Sequence, residues 1–314
     1  MKIPHPIPYQ GSKRNLAPRI LPYFPKNIGK LIEPFAGSAA ITLAAAEKQL
    51  ARSYVINDAN RALIDLWREI IERPERLADK YERVWRRQHE AASPIAWFNE
   101  VRDDFNRAGR PEHFLFLLAR CVKASVRYNS AGQFNQSADK RRHGTLPATM
   151  REQLLGASFL LRNRIRFEHQ DYREVLRLAT PKDLVYMDPP YQGVSRKRDS
   201  RYLLGVDFTE FVDALAGLNE RGIPYIVSYD GRTGDKTYGS PLPDSLGLEL
   251  VELNAGRSSQ ATLLGRMEET IESLYLSPAL IAKREDAPFT YSPTEPRQLA
   301  LLEEPREKKK KRPA

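Results

Sequence analysis

Asp188-Pro189-Pro190-Tyr191 stands at the end of the apolar run Leu184-Val185-Tyr186-Met187. Two successive prolines fix φ and remove two N–H donors, so the run ends in a rigid corner. There the Asp188 carboxylate and the Pro189 carbonyl can accept both hydrogens of one NH₂ group, and Tyr191 offers a flat face on which a base can stack. An amine on an aromatic ring is a poor nucleophile because its lone pair is delocalised into the ring. Two acceptors drawing on its hydrogens rehybridise it and aim the lone pair outward. The chemistry implied is transfer of an electrophile to the exocyclic amine of a base.

A second constellation lies upstream. Leu31-Ile32-Glu33 runs into the turn Pro34-Phe35-Ala36-Gly37, an alanine-rich helix former follows over 38–50, and Tyr54-Val55-Ile56 ends at Asn57-Asp58. In open α/β sheets ligands bind beyond the carboxyl ends of the strands. An acidic residue about 20 positions past a glycine turn is placed to grip both hydroxyls of a ribose. The turn lacks GxGxxG, which favours a nucleoside without phosphates over a dinucleotide. The plainer alternative is that Gly37 makes a tight turn and Asp58 caps it.

The elements that must position these residues follow from periodicity. Strands are expected at 31–33, 54–56, 165–168, 184–187, 225–228, 248–253 and 271–276, with helices at 149–161 and 209–220. From 60 to 126 the pattern is helical, with Leu63, Leu66, Trp67, Ile70 and Ile71 on one face and Phe114, Leu117, Leu118 and Val122 on another. The expected class is α/β, a Rossmann-like, mostly parallel sheet with helices on both faces. A catalytic domain at 1–59 and 164–282 would be split by a helical insertion at 60–163. Within that insertion, 127–147 is a polar, basic, glycine-containing loop or hairpin. Residues 283–314 are rich in Pro, Glu and Lys without periodicity and are expected to be disordered.

Composition narrows the classes. In 314 residues, 50 Lys and Arg stand against 40 Asp and Glu, a net charge of +10 that points to a polyanionic partner. A single cysteine excludes an intrachain disulfide and a cysteine metal cluster, and the 5 histidines show no paired spacing, so no metal is expected. The apolar runs, such as 114–119, fall short of the ~20 residues of a membrane span. The first ten residues carry no signal-peptide core. A soluble, cytoplasmic protein is expected. Cys121 and the tryptophans 67, 85 and 97 fall among apolar neighbours at helical spacing and read as packing residues.

Together these motifs resemble those of the Dam-type (D12 class, alpha-group) DNA adenine-N6 methyltransferases. Tyr9-Gln10-Gly11-Ser12-Lys13 resembles the family's aromatic-x-Gly-x-Lys segment, Glu33 to Gly37 its methionine-binding turn, and Asn57-Asp58 its ribose-binding position. Arg127-Tyr128-Asn129-Ser130 with Gly132-Gln133-Phe134-Asn135 resembles its DNA-entering hairpin, Asp171-Tyr172 its cofactor-adenine position, and Arg257-Ser258 and Glu272-Ser273-Leu274 its later motifs. The resemblance runs from about residue 7 to 277. It implies S-adenosyl-L-methionine as cofactor, held by Tyr9, Lys13, Glu33, Pro34, Phe35, Gly37, Asp58, Asp171 and Asp188, with no metal. Asp188, Pro189, Pro190 and Tyr191 would take an adenine flipped out of double-stranded DNA. On the hairpin, Arg127, Asn129, Gln133 and Asn135 have the donor and acceptor geometry for base edges, whereas Lys140, Arg141 and Arg142 suit phosphates. A monomer is expected, with a cognate restriction endonuclease as the kind of partner such an enzyme can have.

Two departures stand out. Gly37 is followed by Ser38-Ala39-Ala40 where the family carries a second glycine, which predicts a backbone slightly further from the methionine moiety. Leu118-Ala119 and Val122-Lys123-Ala124 replace its Asn-Arg and Tyr-Asn-Gly elements. Three alternatives stay open: N4-cytosine methylation, which goes more often with Ser at 188; glutamine methylation, which goes with Asn there; and a DNA-binding protein on a non-catalytic methyltransferase fold.

Overall fold

The computed structural model describes residues 2–190, 206–233, 236–238, 241–257 and 269–285. Tyr191, Ser258 and the tail from 286 onward lie outside these. The strands are β1 (Ile28–Glu33), β2 (Ala51–Asn57), β3 (Ile165–Glu168), β4 (Leu184–Met187), β5 (Tyr225–Thr233), β6 (Lys236–Tyr238), β7 (Glu249–Arg257) and β8 (Glu269–Leu276). They form one sheet in the order β3-β2-β1-β4-β5-β8-β7, with β6 paired to β5. The first five are parallel, whereas β8 runs antiparallel between β5 and β7. Strand order reverses between β1 and β4, and at such a switch point the carboxyl ends of two strands open a crevice.

The alternation that sorts side chains to the two faces is nearly perfect. Leu31, Tyr54, Ile56, Leu184, Tyr186 and Ile226 face one core, and Ile32, Val55, Val185, Met187, Tyr225 and Val227 the other. Because both faces are covered, the strands read as continuous apolar runs. The second core is closed by α8 (Tyr172–Leu176) and α9 (Phe208–Glu220). The first is closed by α1 (Ala17–Ile20), α2 (Ala40–Glu47), α7 (Pro147–Leu161) and the short α10 (Pro278–Glu285).

Between β2 and β3 the chain forms α3 (Arg61–Glu72), α4 (Pro74–Arg87), α5 (Pro94–Ala108), α6 (Pro111–Arg120) and then α7. Each of α4 to α7 has proline in its first turn, where the missing N–H costs nothing. Through α7, which lies on both α2 and α3, this segment shares one continuous core with the sheet face. Among the described residues no helix is long and apolar enough to cross a membrane.

Three bounds are corrected. The helical pattern to 126 ends at Arg120, because Cys121 turns extended (φ −77°, ψ 162°) and Lys123 and Ala124 adopt positive φ. The segment from 127, expected as a loop or hairpin, folds back through the isolated antiparallel bridges Tyr128 with Phe134 and Cys121 with Ala138, with backbone hydrogen bonds joining Asn129 to Gln133 and Asn135 to Arg127, and it ends before Pro147, which already opens α7. Residues 283–285, assigned to the tail, belong to α10.

Candidate active site

The turn after β1 is clamped from several sides. The Gly37 N–H donates to Asp58 Oδ2 at 3.0 Å, and its carbonyl accepts the Trp67 indole N–H at 3.0 Å. Gly37 sits at φ +48°, and a Cβ there would lie 3.1 Å from the Tyr9 ring. Glycine is therefore favoured both by the backbone conformation and by the close approach of the ring. Asp58 Oδ1 accepts the Asn60 N–H at 2.9 Å, so the cap alternative holds as local geometry, and the carboxylate still lines the cavity described below. Buried Asn57 joins three loops: its amide donates to the carbonyls of Pro34 and Gln170, and its oxygen accepts the Gln170 N–H. Ala39 holds φ 45° and ψ 37°, so the chain takes a left-handed conformation without the family's second glycine.

Glu33 is buried, accepts the Thr42 N–H at 3.1 Å, and burial pushes its carboxyl up to about 8. Burial likewise raises Asp58, against the pull of the Asn60 and Gly37 N–H groups. At the end of β4, Lys13 Nζ stands 3.0 Å from Asp188 Oδ1 and 3.6 Å from Glu272 Oε2 on β8. Burial lifts Asp188 to about 6, with Lys13 opposing and the Glu272 carboxylate adding to the rise. An acid of that strength is ionised at neutral pH and ready to accept hydrogen bonds or a proton.

These groups face a single cavity of about 370 Å³. It brings together Tyr9, Lys13, Glu33, Pro34, Phe35, Gly37, Asp58, Asp171, Asp188, Pro189 and Pro190, all of them sequence candidates. Phe35 packs against Tyr172 at 5.1 Å between ring centroids and forms an apolar wall with Phe211. Asp171 lines the cavity, but Arg173 takes both of its oxygens, at 2.8 and 3.0 Å, and also reaches Glu210 at 3.0 Å. That pairing holds the Asp171 carboxyl below its usual range.

The DNA-side candidates lie elsewhere. Arg127, Asn129, Gln133, Asn135, Lys140, Arg141 and Arg142 are exposed on the loop following α6. Asn129 Oδ1 accepts the N–H groups of Ala131 and Gln133, closing a turn in which Gly132 has φ +72°. Arg142 is paired with Asp139, whose other oxygen accepts the backbone N–H groups of Arg141 and Arg142. The loop reaches the cavity through Val126 and Tyr128, and the Tyr128 hydroxyl exchanges hydrogen bonds with the Asn60 side chain at 3.0 and 3.2 Å.

Sequence reasoning missed Asn60 and Tyr128 as cavity residues and assigned Trp67 to packing alone. It also missed what holds the loop. Phe134 is buried against Phe105 and Phe114, and its backbone pairs with the Asn106 side chain. Arg120 and Asp139 hold each other through the Arg120 guanidinium and both backbones, and Tyr81 grips Thr145 at 2.6 Å. The one available signal was polar residues at otherwise apolar helix positions. Cys121 is buried, with its thiol pushed up to about 12, as befits a packing residue. Among the described residues no cluster of three His, Cys, Asp or Glu stands ready to hold a metal.

Comparison with known proteins gives a family match over residues 9–257, to the D12 class N6 adenine-specific DNA methyltransferase. The DNA N-6-adenine-methyltransferase of Escherichia phage P1 is 27% identical over 232 residues, 71% of this chain and 29% of the phage enzyme. A type II methyltransferase of Lactococcus lactis subsp. cremoris is 23% identical over 286 residues, covering 85% of this chain and 94% of the relative. A retron DNA adenine methylase of Escherichia coli is 25% identical over 228 residues, 71% and 75% of the respective chains.

Proposed function

The chain belongs to the D12 class of N6 adenine-specific DNA methyltransferases, and from that premise we propose that it methylates the N6 amine of a flipped adenine in duplex DNA, with S-adenosyl-L-methionine as donor. The observation that carries this reading is convergence: the Gly37–Asp58 turn, the Asp188 corner and the DNA-side residue Tyr128 all line one cavity.

The cavity suits the donor. Its 370 Å³ falls within the roughly 300–1,000 Å³ of small-molecule sites. Its acidic lining, with Asp58, Asp171, Asp188, Asp207 and Glu210, favours a ligand with a positive sulfonium and ammonium and disfavours one with phosphates. Asp58 and the Gly37 turn would hold the ribose and amino-acid ends, and the Phe35 and Tyr172 wall the adenine, with Asp171 available once Arg173 turns to Glu210. When bound, the donor supplies a methyl group already activated on sulfur.

What remains for the protein is positioning. Asp188 and the Pro189 carbonyl would accept the two N6 hydrogens, and Lys13 keeps the carboxylate oriented and ionised. Asp188 is also the nearest group able to take the proton that the amine sheds. Tyr191 is proposed as the stacking platform. The same reading makes the enzyme a cytoplasmic monomer, acting alone or beside a restriction endonuclease of the same specificity.

The test is methyl incorporation into duplex DNA, with nucleoside digests separating N6-methyladenine from N4-methylcytosine. Asp188→Asn should lower turnover at least about 100-fold, ~2.7 kcal/mol of barrier, while DNA affinity stays within about threefold because phosphate contacts dominate it. N4-methylcytosine as the product would overturn the reading.

A further inference from the structure

Lys123 and Ala124 are two successive non-glycine residues in left-handed backbone, at φ 57° and φ 50°. L-residues pay for that conformation through the clash of Cβ with the following carbonyl. Such outliers persist only where their surroundings enforce them, and here the surroundings do. The Val122 N–H donates to the Ser137 carbonyl, the Ser125 N–H to the Val122 carbonyl, and the Gln10 N–H to the Ala124 carbonyl at 2.9 Å. Gln10 itself lines the cavity, as does Val126 just downstream. The turn is thus wedged between the cavity mouth and the returning limb of the DNA-side loop. Lys123 is exposed there, and among the described residues it makes no ion pair. By contrast, Arg142 is paired with Asp139, the one acidic residue of segment 120–146.

We propose that this strained turn is a built phosphate-binding point, which holds the Lys123 ammonium at the cavity rim against a backbone phosphate of the entering DNA. The inference rests on the DNA-methyltransferase reading above and adds a residue to it. Asn or Gly would relax the backbone, since both tolerate positive φ, but neither would carry the charge. The enforced backbone fixes where the Lys123 side chain leaves the chain, beside Gln10 and Val126 of the cavity, and its flexible stem carries the ammonium from there to the phosphate.

Three variants of the full chain test it, with duplex binding followed by fluorescence anisotropy across a salt series. Lys123→Gln should weaken duplex binding roughly three- to tenfold and make the log–log salt slope shallower by about 1, the signature of one lost phosphate contact. Lys123→Arg should restore most of the affinity. Lys123→Gly should raise the melting temperature by about 1–2 °C through relief of strain while binding DNA as weakly as Lys123→Gln. If Lys123→Gln keeps wild-type affinity and slope, or Lys123→Gly fails to gain stability, the proposal is wrong. Failure of the parent reading looks different: the wild-type chain itself would then transfer no methyl group to duplex DNA, whatever the salt dependence of its binding.

Discussion

The turn proposed to cradle the cofactor and the loop proposed to face DNA are built by opposite means. In the first, backbone groups and buried side chains converge: Asp58, Trp67, Asn57 and Tyr9 all fix the conformation of residues 34–38. Its carboxylates Glu33, Asp58 and Asp188 are all pushed up by burial. In the second, anchors sit beneath and the working surface is exposed. Phe134, Arg120 and Tyr81 hold the loop from below, and its acid, Asp139, is held below its usual range by the N–H of Arg141 and the side chain of Arg142. A pocket that must recognise one small molecule can be rigid and dry. A surface that must accept a polyanion stays wet and charged, and only its frame is fixed.

The comparison can be broken most directly at Gly37. Gly37→Ala forces a β-carbon into left-handed backbone and to within 3.1 Å of the Tyr9 ring. Cofactor affinity measured by calorimetry should fall tenfold or more, ~1.4 kcal/mol, while duplex affinity without cofactor changes less than about twofold. Equal losses in both would mean that the two regions are one cooperative unit.

A smaller effect is expected at Asn129. Its oxygen accepts two backbone N–H groups, so Asn129→Ala loosens the turn at 129–133, which keeps only its backbone hydrogen bonds, and leaves two donors to water. At roughly 1 kcal/mol per hydrogen bond, discrimination between target and non-target sites in a randomised duplex library should fall about five- to tenfold. Gln133→Ala leaves that turn closed and should relax the site at one base pair only. Cofactor affinity should not move in either variant. If Gln133→Ala does more damage than Asn129→Ala, Asn129 shapes nothing that matters to recognition.

The two regions were unequally legible from sequence. The strands around the cavity alternate so regularly that Leu31 and Ile32, or Tyr186 and Met187, could be assigned to opposite faces of a doubly covered sheet. The cavity sits at the ends of those same strands, so the pattern that gave away the fold also located its carboxyl groups Glu33, Asp58 and Asp188. The loop offered no such coincidence. Its polar residues are ambiguous between reading a base and closing a turn, and Asn129 is engaged in the turn. Its anchors Tyr81, Arg120 and Phe134 come from separate segments and meet only through tertiary packing. Trp67 was assigned to the core and is indeed buried, but its indole N–H also holds the Gly37 carbonyl 30 residues away, a contact that no local periodicity encodes.

The smallest effect concerns protons, and it separates the regions by sign. Burial raises the Asp188 carboxyl to about 6 in the folded chain against its ordinary 3.8. In the proposed reading the ionised form accepts one hydrogen of the amine beside the Pro189 carbonyl and can take the proton the amine sheds, so turnover should fall as pH drops through about 6. Folding responds the other way. A carboxyl raised above its unfolded value contributes stability that is fully present below about 3.8 and is lost as pH rises toward 6. Asp139, held low by its arginine neighbours, stays ionised throughout this window, so the loop's own acid gives DNA affinity no matching step. Glu272 supplies the discriminating variant, because its carboxylate raises Asp188 and shares Lys13 with it. Glu272→Gln should move the acid limb of the turnover profile to lower pH and leave duplex affinity at pH 7 unchanged. With Asp188→Asn the limb should vanish along with most of the activity. An acid limb that stays in place in Glu272→Gln would assign the titration to another group, and the link between the Lys13 pair and the reacting amine would have to be abandoned.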